Sequence, residues 1–223
     1  SRMKVAVISA VLVAAVAANA ISGMYGAINT KITVEMANQF KGIFDRFADC
    51  FTPPITALVK KLTEADLNAF VDVHNKMISG EIQAPATRDE GLALFKQYVP
   101  SIYDDLVAAN KDFEDRLTKL TPEDKQRIYD MESGYFGVLK TRTQEGLVDY
   151  YLGVCKNYQG LSAASHDDFK AAFPETVSCL DEDLYKQMCA AAEQLKASNY
   201  KMDTKTMSLV GAIFQNKRFA KQN

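Results

Sequence analysis

The segment SIYDDLVAANKDFEDRLTKLTPEDKQRIYDM, from Ser101 to Met131, sets the fold class of this chain. Apolar residues recur in it every three or four positions, and the positions between them are mostly charged. This period puts the apolar side chains on one side of an α-helix and the charges on the other. The pattern breaks at Thr121-Pro122, where a Thr that can cap a helix precedes a Pro that suits the first helical position. The segment therefore predicts two consecutive amphipathic helices.

The same helix start occurs earlier in the chain. KKLTEADLNAFVDV, from Lys60 to Val73, closely matches TKLTPEDKQRIYDM, from Thr118 to Met131. In both copies an Asp three residues after the Thr can complete a capping box, and an amphipathic pattern follows. Similar patterns continue toward the C-terminus, and none of them alternates apolar and polar residues as a strand would. The sequence predicts an all-α single domain of about eight to ten amphipathic helices.

Composition and charge argue against several functional classes. The 223 residues carry a formal net charge of −2, with acidic and basic residues mixed along the chain. A protein that binds nucleic acid would show a basic face instead. His74 and His166 lie far apart, and no nucleophile, metal-binding or phosphate-binding motif accompanies them. We therefore expect no catalytic residues, no metal, no cofactor and no nucleic-acid partner.

The N-terminal segment has the pattern of a secretory signal peptide. MKVAVISAVLVAAVAANA, from Met3 to Ala20, has a basic start, an apolar run and a small-x-small cleavage site at its end. The apolar run is shorter than the roughly 20 residues that a membrane-spanning helix needs, which disfavours a membrane anchor. We assign residues 1–20 to the signal peptide, with Ser1 and Arg2 as upstream or non-native residues, and expect a secreted, extracellular protein.

The four cysteines form an even set, which suits disulfide formation in a secreted chain. We expect at least one disulfide, and the sequence leaves all three pairings open. Cys155 and Cys179 lie on consecutive late helices and could approach each other. Cys50 or Cys189 could take the place of either one.

Several motifs, in a fixed order, resemble one known family. They are Asp89-Glu90 followed by Phe95-Lys96 and Pro100, then LTPEDK from Leu120 to Lys125, then Tyr158 with Leu161-Ser162, and finally FKAAFP from Phe169 to Pro174. Together they are similar to the nematode fatty-acid- and retinol-binding protein family over about residues 55–180. The resemblance implies a secreted all-α carrier whose helices surround an internal apolar cavity. Such a carrier holds fatty acids and retinoids without catalysis.

The resemblance also implies a division of the chain. Residues 21–54 would form an N-terminal extension that is partly helical, residues 55–180 the lipid-binding helical domain, and residues 181–223 a C-terminal helical extension. The cysteines and both extensions are not part of the family pattern, so they are expected to add helices or a disulfide. The implied partners are fatty acids and retinol as ligands, with transient contact to membrane surfaces for lipid delivery. We expect a monomer.

The candidate ligand site rests on amphipathic position alone. The inward residues of the central helices would supply the apolar lining that a fatty-acid chain needs. They are Leu92, Phe95, Leu106, Phe113, Leu117, Ile128, Tyr135, Phe136, Leu139, Tyr151, Phe169 and Phe173. Arg142 and Lys140 are the candidate cationic partners of the carboxylate, because burying that charge alone is prohibitive. A long basic side chain at a helix end is more often simply solvated.

A filled core is the alternative interpretation of the same residues, because periodicity does not distinguish a packed interior from a hollow one. The alternative function is then a secreted helical interaction protein that binds a host or extracellular protein. A hydrolase with an unrecognised site is a third and weaker hypothesis, since no catalytic motif supports it.

Overall fold

A computed structural model describes residues 28–219, and all regular secondary structure in this range is helical. The α-helices, in chain order, are α1 (Val34–Arg46), α2 (Pro53–Lys61), α3 (Glu64–Ser79), α4 (Arg88–Tyr98), α5 (Tyr103–Leu117), α6 (Pro122–Thr141), α7 (Gln144–Gln159), α8 (Ala163–Ala172), α9 (Pro174–Leu180), α10 (Asp183–Ala197) and α11 (Thr204–Phe214). Two short 3-10 helices lie at Ala48–Cys50 and Pro100–Ile102. The predicted all-α fold is confirmed. The predicted signal peptide, residues 1–20, lies outside the described residues.

The described range holds eleven α-helices, one more than the upper end of the predicted count, because two prolines begin helices of their own. Pro53 and Pro174 occupy the first positions of α2 and α9. A proline disfavours helical backbone at the residue before it, but its fixed φ suits the start of the next helix. Within residues 28–219, no helix is both long enough and apolar enough to cross a bilayer.

The two Lys-Leu-Thr repeats both start helices, as predicted. Thr63 Oγ1 accepts from the backbone N–H of Asp66 at 3.2 Å, and the Asp66 carboxylate accepts from the backbone N–H of Thr63 at 2.8 Å. At the second copy, Thr121 Oγ1 accepts from the backbone N–H of Asp124 at 3.2 Å and donates to its carboxylate at 3.0 Å. Both Asp side chains are buried. Each Thr therefore also supplies a hydrogen-bond partner to a carboxylate that is buried away from water.

The buried apolar residues form two clusters of unequal size. The larger cluster draws on α5 to α11 and includes Leu117 and Tyr151. It also contains Phe47 and Ile213, so segments near both ends of the chain pack into the same core. The smaller cluster is built from α2, α4, α5 and the turn before α5, and it consists of Leu58, Leu92, Val99, Ile102 and Leu106.

Two disulfides join later helices, one to each other and one to the segment before α2. They join Cys50 to Cys179, with Cα atoms 5.6 Å apart, and Cys155 to Cys189, with Cα atoms 6.0 Å apart. The expectation of at least one disulfide is confirmed, but Cys155 pairs with Cys189 and not with Cys179. The reason is α9, which places Cys179 beside the segment that precedes α2. There the Thr176 hydroxyl donates to the Cys50 carbonyl oxygen at 2.9 Å.

Thr121→Ala is expected to lower the free energy of unfolding by about 1 kcal/mol, because α6 loses its N-cap and Asp124 loses a donor. Urea denaturation measures the change, and Thr204→Ala is the control because Thr204 is exposed at the start of a helix. Binding of a fatty acid should be unchanged by either substitution. Weaker binding with unchanged stability for Thr121→Ala would mean that this Thr contacts ligand.

Alkylation of the unfolded, unreduced protein is expected to modify none of the four cysteines, and alkylation after reduction should modify all of them. Intact mass distinguishes the two results. Replacing Cys155 and Cys189 together by Ala should lower the free energy of unfolding by about 2–4 kcal/mol. Modification of four thiols without reductant would contradict the pairing.

Candidate functional site

A cavity of about 430 Å³ lies among α1 to α6, on the side of the molecule where the smaller cluster packs. This volume falls in the range of sites that hold small organic ligands, and it is well above the ~150 Å³ of an engineered cavity that binds benzene. Six helices contribute apolar side chains to its wall. Representative members are Phe40, Phe44, Leu58, Phe70, Met77, Leu94, Phe95 and Leu139.

Polar side chains are few in this wall. Lys41 from α1 is the one lining residue with a fixed charge, among the residues that the structure describes. Its side chain is 24% exposed, and its Nζ lies 3.1 Å from a carboxylate oxygen of Asp45. His74 from α3 also lines the cavity, and its Nε2 donates to the Thr30 carbonyl oxygen at 2.9 Å. The cavity is therefore apolar, with a cation and an imidazole in its wall.

The predicted lining residues separate into three groups. Phe95, Leu106, Tyr135, Phe136 and Leu139 line the larger cavity. Four others line a second, smaller cavity of about 100 Å³, and these are Phe113, Ile128, Phe169 and Phe173. The remaining three line neither cavity, and these are Leu92, Leu117 and Tyr151, all buried in the two clusters.

Helix geometry explains this separation. Leu106 and Phe113 lie on the same stripe of α5, but seven residues correspond to about 10 Å along a helix axis. Leu106 therefore faces the larger cavity, while Phe113 faces the smaller one. Leu117, one turn further on, is only 1% exposed and lies in the filled core. The single apolar stripe of α5 thus contributes side chains to both cavities and to the packed region beside them.

Neither of the predicted cationic partners lines either of these two cavities. Lys140 is exposed on α6. Arg142 caps the end of α6 in the left-handed conformation, with φ of 52°. Its guanidinium donates to the carbonyl oxygens of Met77 and, at 3.1 Å, of Leu139. Because Met77 and Leu139 both line the larger cavity, Arg142 ties α6 to α3 directly behind the wall.

Sequence analysis missed Lys41 and His74 because neither belongs to the predicted inward stripes. Lys41 lies in the FKGIF segment of α1, in the region taken as an N-terminal extension. A basic residue between apolar residues that are spaced by one helical turn is the signal that could have found it. His74 lies between the apolar positions of α3 and gives no comparable signal.

An ion cluster holds three helices of the cavity wall together. Arg88, at the start of α4, is only 6% exposed and donates to Glu114 of α5 and to Glu132 of α6, the latter from Nε at 3.2 Å. Burial raises the pKa of the Glu132 carboxyl, and the hydrogen bonds from Arg88 act in the opposite direction. Removing one partner would leave a buried charge without compensation.

Burial also raises the pKa of the Tyr135 hydroxyl, a group that is neutral at physiological pH even at its usual pKa. Its ring lines the larger cavity and lies 6.1 Å from the ring of Tyr150. The apolar surface of the cavity therefore carries no charge on this side.

The fold and the cavity place this chain in a class of proteins: all-helical proteins whose amphipathic helices surround a cavity with room for an apolar ligand. The sequence model described as nematode fatty acid retinoid binding protein (Gp-FAR-1) matches residues 45–192. The chain belongs to this family. The match covers the last two residues of α1, all of α2 to α9 and most of α10, but no residue of α11. No curated protein and no solved structure matches the chain.

Leu139→Trp is expected to occupy part of the larger cavity, because Leu139 lines it. The added volume corresponds to about two methylene groups of a ligand chain, so affinity for a fluorescent fatty acid should fall about tenfold. The melting temperature should change little. Titration of the probe and thermal denaturation measure the two quantities.

Leu117→Trp is the matched control, because Leu117 lies in the filled core. Overpacking there typically costs about 1–3 kcal/mol of stability, while probe affinity of the folded protein should be retained. The assignment of the cavity would be wrong if both variants lost stability and neither lost affinity.

Proposed function

We propose that this protein is a secreted, non-catalytic carrier that binds fatty acids and retinoids in the larger cavity. The observation that carries the proposal is the cavity itself, about 430 Å³ with an apolar wall. Each methylene group buried in such a site contributes about 0.8 kcal/mol, so an alkyl chain gains most of its affinity from burial alone. Membership of the fatty acid retinoid binding family supports this choice of ligands.

The carboxylate of a fatty acid needs a cation or water, because burying it alone is prohibitive. We assign this role to Lys41, which lines the cavity while its side chain stays partly exposed. Asp45 already pairs with Lys41, so a fatty acid would share or replace that contact. Retinol is an uncharged alcohol and needs no such partner.

Secretion is supported by the leader-like residues 1–20 and by the two disulfides, which persist in oxidising compartments. The alternative function, an interaction protein with a filled core, has less support because a large part of the interior is not filled. We expect the carrier to act as a monomer without a nucleic-acid partner.

The direct test is fluorescence of an environment-sensitive fatty acid mixed with the purified protein. Carrier function predicts a blue-shifted emission that oleate and retinol both reverse. A probe that stays in water, with the emission it shows alone, would refute the proposal.

Lys41→Met is expected to weaken oleate binding about three- to fivefold, the effect of removing one partly exposed charge partner. Retinol binding should change less than about twofold, because the alcohol has no charge. Lys60→Met is the control, since Lys60 is exposed and does not line the cavity. Competition against the fluorescent probe measures the oleate and retinol affinities of the unmodified protein and of the two variants. Equal losses for oleate and retinol would mean that Lys41 supports the cavity wall and does not pair with the carboxylate.

A further inference from the structure

The large apolar side chains that are exposed in residues 28–219 are concentrated at one place. Met202, Met207 and Phe214 are 45%, 54% and 43% exposed, and all three lie in α11 or just before it. Large apolar side chains that are exposed on one helix and the residues just before it indicate a partner, because leaving them in water forgoes their burial. This surface differs from the cavity, since none of its residues lines either cavity.

The outward side of α11 carries little charge. Met207, Gly211 and Phe214 recur at helical spacing and are exposed, while Thr206 and Ile213 face the core. The residues between them on the exposed side are small or neutral, and Lys205 is the one charged residue within Thr204–Phe214. Such a helix has an apolar side to bury and few directional polar groups for recognition of a shaped protein surface.

Lysines outnumber acidic residues around α11, where Asp203 is the N-cap. No Asp or Glu follows Asp203 in the sequence. Lys201, Lys205 and Lys217 are exposed, and none forms an ion pair within the described part of the chain. Arg218 is different, because it is held internally by Asp49 and Glu182. An exposed apolar helix with free lysines beside it is complementary to an anionic lipid surface.

We propose that α11, together with Met202 and its flanking lysines, is a docking surface for anionic bilayers. The helix lies in the interface plane with Met202, Met207 and Phe214 inserted among the acyl chains. Lys201, Lys205 and Lys217 contact the headgroups. A second copy of the chain is a poorer occupant, because it would bring together two surfaces on which lysines outnumber acidic residues.

Contacts at the end of α11 connect this surface to the cavity wall. The Phe214 ring lies 5.4 Å from that of Phe219, which lies 5.7 Å from that of Phe47. Arg46 at the end of α1 donates to the Phe219 carbonyl oxygen at 3.1 Å. The same α1 carries Lys41 in the cavity wall. Use of the docking surface for ligand delivery rests on the proposed carrier function, but docking itself does not.

Co-sedimentation with vesicles tests the proposal. The secreted form is used, without residues 1–20, because that apolar segment would itself enter a bilayer. Vesicles of phosphatidylcholine alone are compared with an equal mixture of phosphatidylcholine and phosphatidylglycerol, at low and at high salt. Docking predicts binding to the anionic vesicles that salt weakens, and much weaker binding to the neutral ones.

Variants locate the surface. Replacing Lys205 and Lys217 by Gln should reduce binding to anionic vesicles by about fivefold for each lysine. Replacing Lys60 and Lys119 by Gln makes the same change of charge at exposed positions elsewhere and should leave binding unchanged. Met202→Ser with Met207→Ser should also reduce binding, by about tenfold, through lost apolar contact. All these side chains are exposed, so unchanged melting temperatures are expected.

Two results would overturn the proposal: no binding of the unmodified protein to anionic vesicles, or equal loss in the two lysine pairs. Binding of the fluorescent fatty acid is measured on every variant. Loss of vesicle binding with retained probe binding supports a separate docking surface. A protein that docks but never binds the probe would keep this inference and refute the carrier function.

Discussion

The arrangement of this fold around its larger cavity depends on one buried cation. Arg88 lies between Glu114 and Glu132 and thereby fixes α4, α5 and α6 relative to one another. A packed core would hold these helices through many small dispersion contacts, but a cavity lacks partner atoms on one side of each lining residue. Polar anchors at the edge can supply the missing constraint, since a buried charge that loses its partners is strongly unfavourable. Arg142 is a second polar anchor of this kind, because its guanidinium joins α6 to α3.

The molecule thus has a hollow part, around the larger cavity, and a filled part. Different interactions hold the helices in place in each. In the filled part, which borders the smaller cavity, α7, α9 and α10 pack around residues such as Leu117 and Tyr151, and two disulfides restrict the chain further. Interiors of this kind approach crystal-like density and resist changes of volume. The hollow part lacks such packing on the cavity side of its lining residues. That separation of a packed region from a less packed one suits a protein that takes up ligands of different shape.

Helices and their starts could be predicted from this sequence because local chemistry specifies them. Thr63 and Thr121 cap helices whether the interior is packed or hollow. The spacing of apolar residues determines which side of each helix faces inward. The cavity could be predicted only through family resemblance, and its lining only in part. Leu106 and Leu117 are identical in chemistry and share one stripe, yet one borders a cavity and the other is packed. That difference depends on the distance between helices, which tertiary contacts determine.

Residues outside the recognised pattern were the hardest to predict. Lys41 lies in α1 and the exposed Met207 in α11, both beyond the part of the chain that matches the family. Cysteine pairing depended on α9, a short helix with no signal beyond Pro174. Lys41 and Met207 thus lie outside residues 45–192, whereas all four cysteines lie inside this range. The inferences with the least sequence support, a carboxylate partner and a docking surface, therefore both concern the two terminal segments.

Transfer between a bilayer and this cavity would be close to balanced in free energy. A methylene group gains about the same from the hydrocarbon core of a membrane as from an apolar cavity, because both remove it from water. The barrier is the passage through water, where each exposed methylene forfeits about 0.8 kcal/mol. A surface that holds the protein against the bilayer shortens that passage without changing the two end states. Under the proposed functions, α11 therefore acts on the rate of delivery, while the cavity and Lys41 determine which ligand is held.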